Sequence, residues 1–132
     1  MGKQIKKIKL QLPDVYCLLA VYTVNKDYQL AWLLNAELGL HLQREVQPVG
    51  TFFSLYSDRE SLHPLQFMLI ANNSECRRLF SQYEQIDYFF KVSNATNEQL
   101  STIMGKIRQI DSVITCTRMD DEAKLLKIFN RL

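Results

Sequence analysis

The sequence predicts an α+β fold, a mostly antiparallel sheet of about six or seven strands with two main helices packed on one face and a third at the C-terminus. Three observations predict it. Short apolar stretches with two-residue alternation or two apolar faces are bounded by Pro, Gly, Asn and Asp, as strands are. Two longer stretches carry apolar residues at helical spacing behind a cap. Displacing the chain by 73 residues lays Asp14 on Asp87, Leu30 on Ile103, Leu34 on Ile107 and Leu40 on Val113, so a strand–helix–strand unit recurs. Two such units predict a ferredoxin-like βαββαβ core, here with an extra N-terminal strand, an inserted hairpin and a C-terminal helix.

Taken in order, Ile5 to Leu12 alternates Ile8, Leu10 and Leu12 against Lys7, Lys9 and Gln11, a half-buried strand with a basic outer face. Val15 to Val24 is apolar on both faces, which is the pattern of a central strand covered on each side. A helix follows from Lys26 to Leu38, with Asn25 as its N-cap, Asp27 in its first turn and Gly39 where a left-handed cap belongs. Its apolar residues Leu30, Ala31, Trp32, Leu33, Leu34 and Leu38 predict burial on most sides.

Leu40 to Val46 and Thr51 to Ser57 read as short strands, and Leu65 to Ala71 as a third that starts after Pro64. Ser74 to Phe80 reads as a short helix. In the strand from Ile86 to Val92, alternation places Ile86, Tyr88, Phe90 and Val92 on one face and Asp87 and Lys91 on the other. Thr96 and Gln99 then form a capping box for a helix bearing Leu100, Ile103, Met104, Ile107 and Ile110. Val113 to Met119 is rich in β-branched residues and reads as a strand. Asp120 caps a last helix striped by Leu125, Leu126, Phe129 and Leu132.

The 132 residues suit one domain, 1–132, able to bury a core without disulfides or metal. Hydrophobic residues at 47% and charged residues at 23% exclude a disordered chain. A net charge of +2 falls short of a dedicated nucleic-acid binder. Three cysteines, Cys17, Cys76 and Cys116, form no close pair, which fits free thiols in a cytoplasmic protein. Met1 to Leu12 has no apolar core of the secretory kind, and Val15 to Val24 is too short to span a bilayer.

No catalytic or cofactor motif is present. The four glycines are scattered at Gly2, Gly39, Gly50 and Gly105, so no phosphate-cradling loop exists. His41 and His63 lack a partner at metal-ligand spacing apart from the single pair His41 and Glu45, and a surface or satisfied histidine is the favoured reading. Cys76 stands beside Arg77 and Arg78, which lower a thiol pKa, yet no histidine accompanies it as a base. Asp87 interrupts an apolar strand. It could be a tuned base or ligand contact, but a carboxylate at a strand start more often satisfies local N–H groups. Tyr88 offers an apolar ring with a hydroxyl at the rim.

Lys6, Lys7 and Lys9, with Arg77 and Arg78, are candidate binding residues. Met on one surface they could hold RNA phosphates while Phe53 or Tyr56 stacks bases. Lysines that protect an edge strand are the simpler reading.

The stretches Phe80–Phe89 (FSQYEQIDYF) and Lys26–Asn35 (KDYQLAWLLN) resemble the IPExxxVDY family, small proteins of the bacterial phylum Bacteroidota. The Val-Asp-Tyr end of its motif falls on Ile86, Asp87 and Tyr88. The Ile-Pro-Glu end falls on Phe80, Ser81 and Gln82, where serine replaces the proline and glutamine the glutamate. The resemblance implies a bacterial cytoplasmic protein and supplies no catalytic residue.

The expectation is therefore a non-enzymatic protein-binding or regulatory module without cofactor, metal or membrane, acting on a protein partner or as a homodimer. Aromatic residues able to be exposed, Phe52, Tyr56 and Tyr83, supply the surface. Alternatives are an RNA- or ribosome-associated protein using the basic N-terminal strand, and an ACT-like small-molecule regulatory domain using the loop Thr23 to Asp27.

Overall fold

The computed structural model describes residues 16–45, 54–58, 65–72 and 85–119. The expected N-terminal strand, the short helix at Ser74 and the C-terminal helix lie outside the described residues. Within them run β1 (Tyr16–Thr23), α1 (Asp27–Leu38), β2 (Leu42–Arg44), β3 (Leu55–Asp58), β4 (Gln66–Ala71), β5 (Tyr88–Ser93), α2 (Asn97–Arg108) and β6 (Val113–Met119). The strands form one six-stranded sheet in the order β2-β3-β4-β5-β1-β6. Every neighbouring pair is antiparallel. The α+β expectation is what the chain adopts.

Both helices lie on one face, because their apolar stripes enter a single cluster. Leu30, Ala31 and Leu34 of α1 and Leu100, Ile103 and Ile107 of α2 meet Leu19, Val21, Phe67, Leu69, Phe90 and Val92 of the sheet. Phe67 and Phe90, on adjacent strands, stack with ring centroids 5.7 Å apart. The opposite face holds a second buried cluster of Leu18, Ala20, Ile70, Ile86 and Phe89. β1 is therefore buried on both sides, which is why its sequence shows no polar alternation.

The local signals of α2 are realised as read. The Thr96 hydroxyl accepts from the Gln99 N–H at 3.2 Å, and the Gln99 side chain accepts from the Thr96 N–H at 2.8 Å. α1 begins one residue later than expected: Lys26, not Asn25, holds the N-cap position. A lysine side chain has no acceptor. The cap is therefore one-sided, with the Lys26 N–H donating to Gln29 Oε1 at 3.0 Å. Gly39 takes the left-handed conformation at φ 68°, and the Leu40 N–H returns to the Asn35 carbonyl at 3.1 Å.

Two further readings are corrected. β2 starts at Leu42 rather than Leu40, since Leu40 is spent closing the helix. Asn35 then acts as a strand neighbour, its Oδ1 accepting from Leu42 N–H at 2.8 Å and its Nδ2 donating to Leu42 O at 3.3 Å. Ile86 does not share a face with Tyr88. Regular strand begins at Tyr88, so two-residue alternation does not extend back to Ile86, which packs with Phe89 and Leu18 on the far face.

Candidate functional site

The described site residues gather where β1 ends, α1 begins and β5 starts. Thr23 is the last residue of β1, and its N–H points toward β5, where Asp87 Oδ2 accepts it at 3.0 Å. The Thr23 hydroxyl donates to the Ser112 carbonyl at 2.8 Å and accepts from the Asn25 N–H at 3.2 Å. Asn25 Nδ2 donates to Ser112 Oγ at 2.6 Å. The Tyr88 hydroxyl, rising from the helix-side face of β5, donates to the Asn25 carbonyl at 2.6 Å. Asp87 and Tyr88, adjacent in sequence, thus clamp the same short loop at two points, Asp87 at the Thr23 N–H and Tyr88 at the Asn25 carbonyl.

A second tyrosine reaches this corner. Tyr56 of β3 is buried on the helix side, and its hydroxyl meets the Asp27 carboxylate at the start of α1. Burial raises its pKa, the Asp27 charge raises it further, and Arg44 opposes the shift. Tyr88 is pushed much further above its ordinary value, by burial first and then by Asp27, Asp87 and Tyr56. Both hydroxyls remain neutral donors at physiological pH. A tyrosine so held is a brace for backbone rather than a base or nucleophile.

The loop they brace forms one wall of a groove. Asn25, Tyr28, Gln29, Trp32 and Leu33 line an open cavity of about 450 Å³ along the outer side of α1. Trp32 is 69% exposed and Tyr28 57%, and the two stand one helical turn apart. Sequence reading placed Trp32 in a buried helix and overlooked Tyr28, Gln29 and the groove. The signal was present: α1 is apolar nearly all round, and one stripe suffices to cover the sheet. Tyr56, expected among exposed aromatics, is instead core, so it cannot stack a base.

Lys6, Lys7, Lys9, Arg77 and Arg78 lie outside the described residues, as do Cys76, His63, Phe52, Phe53 and Tyr83. Among the described residues no group of three or more His, Cys, Asp or Glu could hold a metal ion, and no helix is long and apolar enough to cross a membrane. Cys17 and Cys116 are free thiols. Burial pushes the Cys116 thiol up to about 11, with Arg108 opposing.

Comparison with protein-family models, with curated proteins and with solved structures gave no match to this chain.

Proposed function

We propose that this chain is a non-enzymatic protein-binding module whose contact surface is the outer face of α1. The observation that carries this reading is the exposed pair Tyr28 and Trp32 bordering a groove whose polar wall is held rigid by Asp87, Tyr88 and Ser112. Exposed aromatics around a fixed cleft are the usual anchors of protein recognition, because they bury much area at little cost in side-chain freedom. The partner is a protein with an apolar segment to insert, or a second copy of the chain.

The test compares the parent with the double variant Y28A/W32A, by light scattering and by affinity capture from the native host. Loss of the parent's self-association or of a captured protein in the variant supports the reading. A monomeric parent that retains the same proteins as the variant sinks it.

The architecture supports a ferredoxin-like core. Taking β1, α1, β4, β5, α2 and β6 as its six elements leaves the core strands in the order β4-β5-β1-β6, with β2–β3 as an inserted hairpin. β5 and β6 are parallel to each other through their shared antiparallel neighbour β1, as a helical crossover requires. Asp87 and Tyr88 also support divergent membership of the IPExxxVDY family, since the residues retained from its motif are the two that clamp the β1–α1 loop. Cytoplasmic residence draws its support from the unbridged Cys17 and Cys116.

A second reading, an ACT-like small-molecule domain, is favoured by the position of the groove, which opens at Asn25 in the loop after the first strand. A thermal-shift series with free amino acids separates the two. Saturable stabilisation by one amino acid, abolished in W32A, selects the small-molecule domain.

A further inference from the structure

The chemistry of the α1 groove narrows the kind of chain that would fill it. Its lining is Asn25, Tyr28, Gln29, Trp32 and Leu33, with no charged side chain among them. A nucleic-acid backbone, or a strongly charged peptide, would lose hydration there and meet no charge of opposite sign. The occupant is therefore neutral where it touches the groove.

The hydrogen-bonding groups left for a ligand narrow it further. Gln29 Oε1 accepts from the Lys26 N–H at 3.0 Å, which leaves the Nε2 hydrogens to donate. Among the described residues nothing accepts from Trp32 Nε1, which lies on an exposed ring. These two donors call for an occupant with free acceptors. A helix or a paired strand has its carbonyls already bonded. A polyproline II segment keeps every carbonyl open, and its prolines have no N–H to leave unpaired. The spacing agrees. Tyr28 and Trp32, four residues apart on α1, are separated by about 6 Å along the helix axis. Two residues of polyproline II also advance by about 6 Å, so successive dipeptides meet successive rings.

We propose that the groove takes a proline-rich segment of a partner protein in the polyproline II conformation, its prolines against Tyr28 and Trp32 and its carbonyls accepting from Trp32 Nε1 and Gln29 Nε2. The proposal rests on the reading of α1 as a protein-contact surface and names the partner class of that surface. The prolines of this chain, Pro13, Pro48 and Pro64, are scattered, so a second copy does not supply such a segment.

The test is the fluorescence anisotropy of labelled decaproline titrated with the full chain, beside a Gly-Ser decapeptide carrying the same label. Saturable binding of decaproline alone is expected, weakened about tenfold or more in Trp32→Ala. Trp32→Phe keeps a ring and deletes the N–H. Gln29→Glu keeps the oxygen that holds the Lys26 N–H and deletes the Nε2 donor. Each should weaken binding about two- to tenfold. Both positions are exposed, so circular dichroism of the variants should match the parent's, and Trp32→Phe stands in for Trp32→Ala should that fold be lost.

Equal binding of the two peptides overturns the inference, as does decaproline binding that all three variants leave unchanged. Absence of decaproline binding overturns it too, and the Y28A/W32A comparison then separates two cases. If that variant loses the parent's self-association or captured protein, the protein-contact reading stands and only this partner class falls. If it loses neither, both fall. Uptake of cellohexaose through Trp32 in place of decaproline overturns the inference in favour of a neutral sugar.

Discussion

The Tyr88 hydroxyl donates to the backbone carbonyl of Asn25 at 2.6 Å, tying the first full residue of β5 to the loop between β1 and α1. It joins the two halves of the chain at one point. From β5 it fixes the residue that begins the wall of the α1 groove.

Tyr88→Phe keeps the ring and deletes that tie. A carbonyl left partly buried without a donor costs on the order of 1 kcal/mol, read as a lowered urea midpoint with an unchanged slope. Because Asn25 would be left with its N–H on the Thr23 hydroxyl and its side-chain amide on Ser112, and with no tie to β5, binding through Tyr28 and Trp32 should weaken as well. Trp32 is the sole tryptophan, so its emission follows the groove directly.

Asp87→Ala removes the acceptor of the Thr23 N–H and should cost more, about 1–3 kcal/mol, since a charged acceptor is lost and a backbone donor is stranded. Asp87→Asn keeps a carbonyl oxygen in place and should retain part of the stability. Equal loss in both variants would show that charge, not the hydrogen bond, is what Asp87 supplies.

The two helix caps predict a contrast. Thr96→Ala breaks a full capping box and should destabilise by about 1 kcal/mol. Lys26→Ala should stay within about 0.5 kcal/mol, because Lys26 contributes only its backbone N–H to Gln29. Thermal unfolding of the two variants side by side measures the difference.

Alkaline pH should destabilise the protein. Tyr88, Tyr56 and Cys116 all have pKa values raised by burial, so the folded state holds protons that the unfolded chain releases earlier. Their contribution is complete below the unfolded values and declines above them. For Cys116 the loss runs from the ordinary 9.0 through about 11. Denaturation midpoints should fall through this range, and the part of the tyrosinate absorbance that is lost in Y56F/Y88F should appear together with unfolding rather than before it. In the folded protein, alkylation mapped by mass should reach the half-buried Cys17 well ahead of Cys116.

The fold was legible where a residue's local environment decides its conformation. The Thr96–Gln99 box, Gly39 at positive φ and the doubly apolar β1 act through neighbours a few positions away, and each specified its element. The recurring strand–helix–strand spacing led to helices on one face because an apolar stripe has nowhere else to go. Asp87 and Tyr88 also stood out, as a polar break and a rim tyrosine in an apolar strand.

What those residues do was settled only by tertiary contacts. The partners of Asp87 and Tyr88 are 64 and 63 positions away, and no spacing in the chain announces them. Tyr56 looked free to be exposed until α1 brought Asp27 over its hydroxyl. Trp32 looked like core until the sheet had taken Leu30, Ala31 and Leu34 and left it outside. Hydrophobic pattern says which residues seek burial, but the number that succeed is set by the area the neighbouring element offers. That area exists only once strands and helices from both halves of the chain have met.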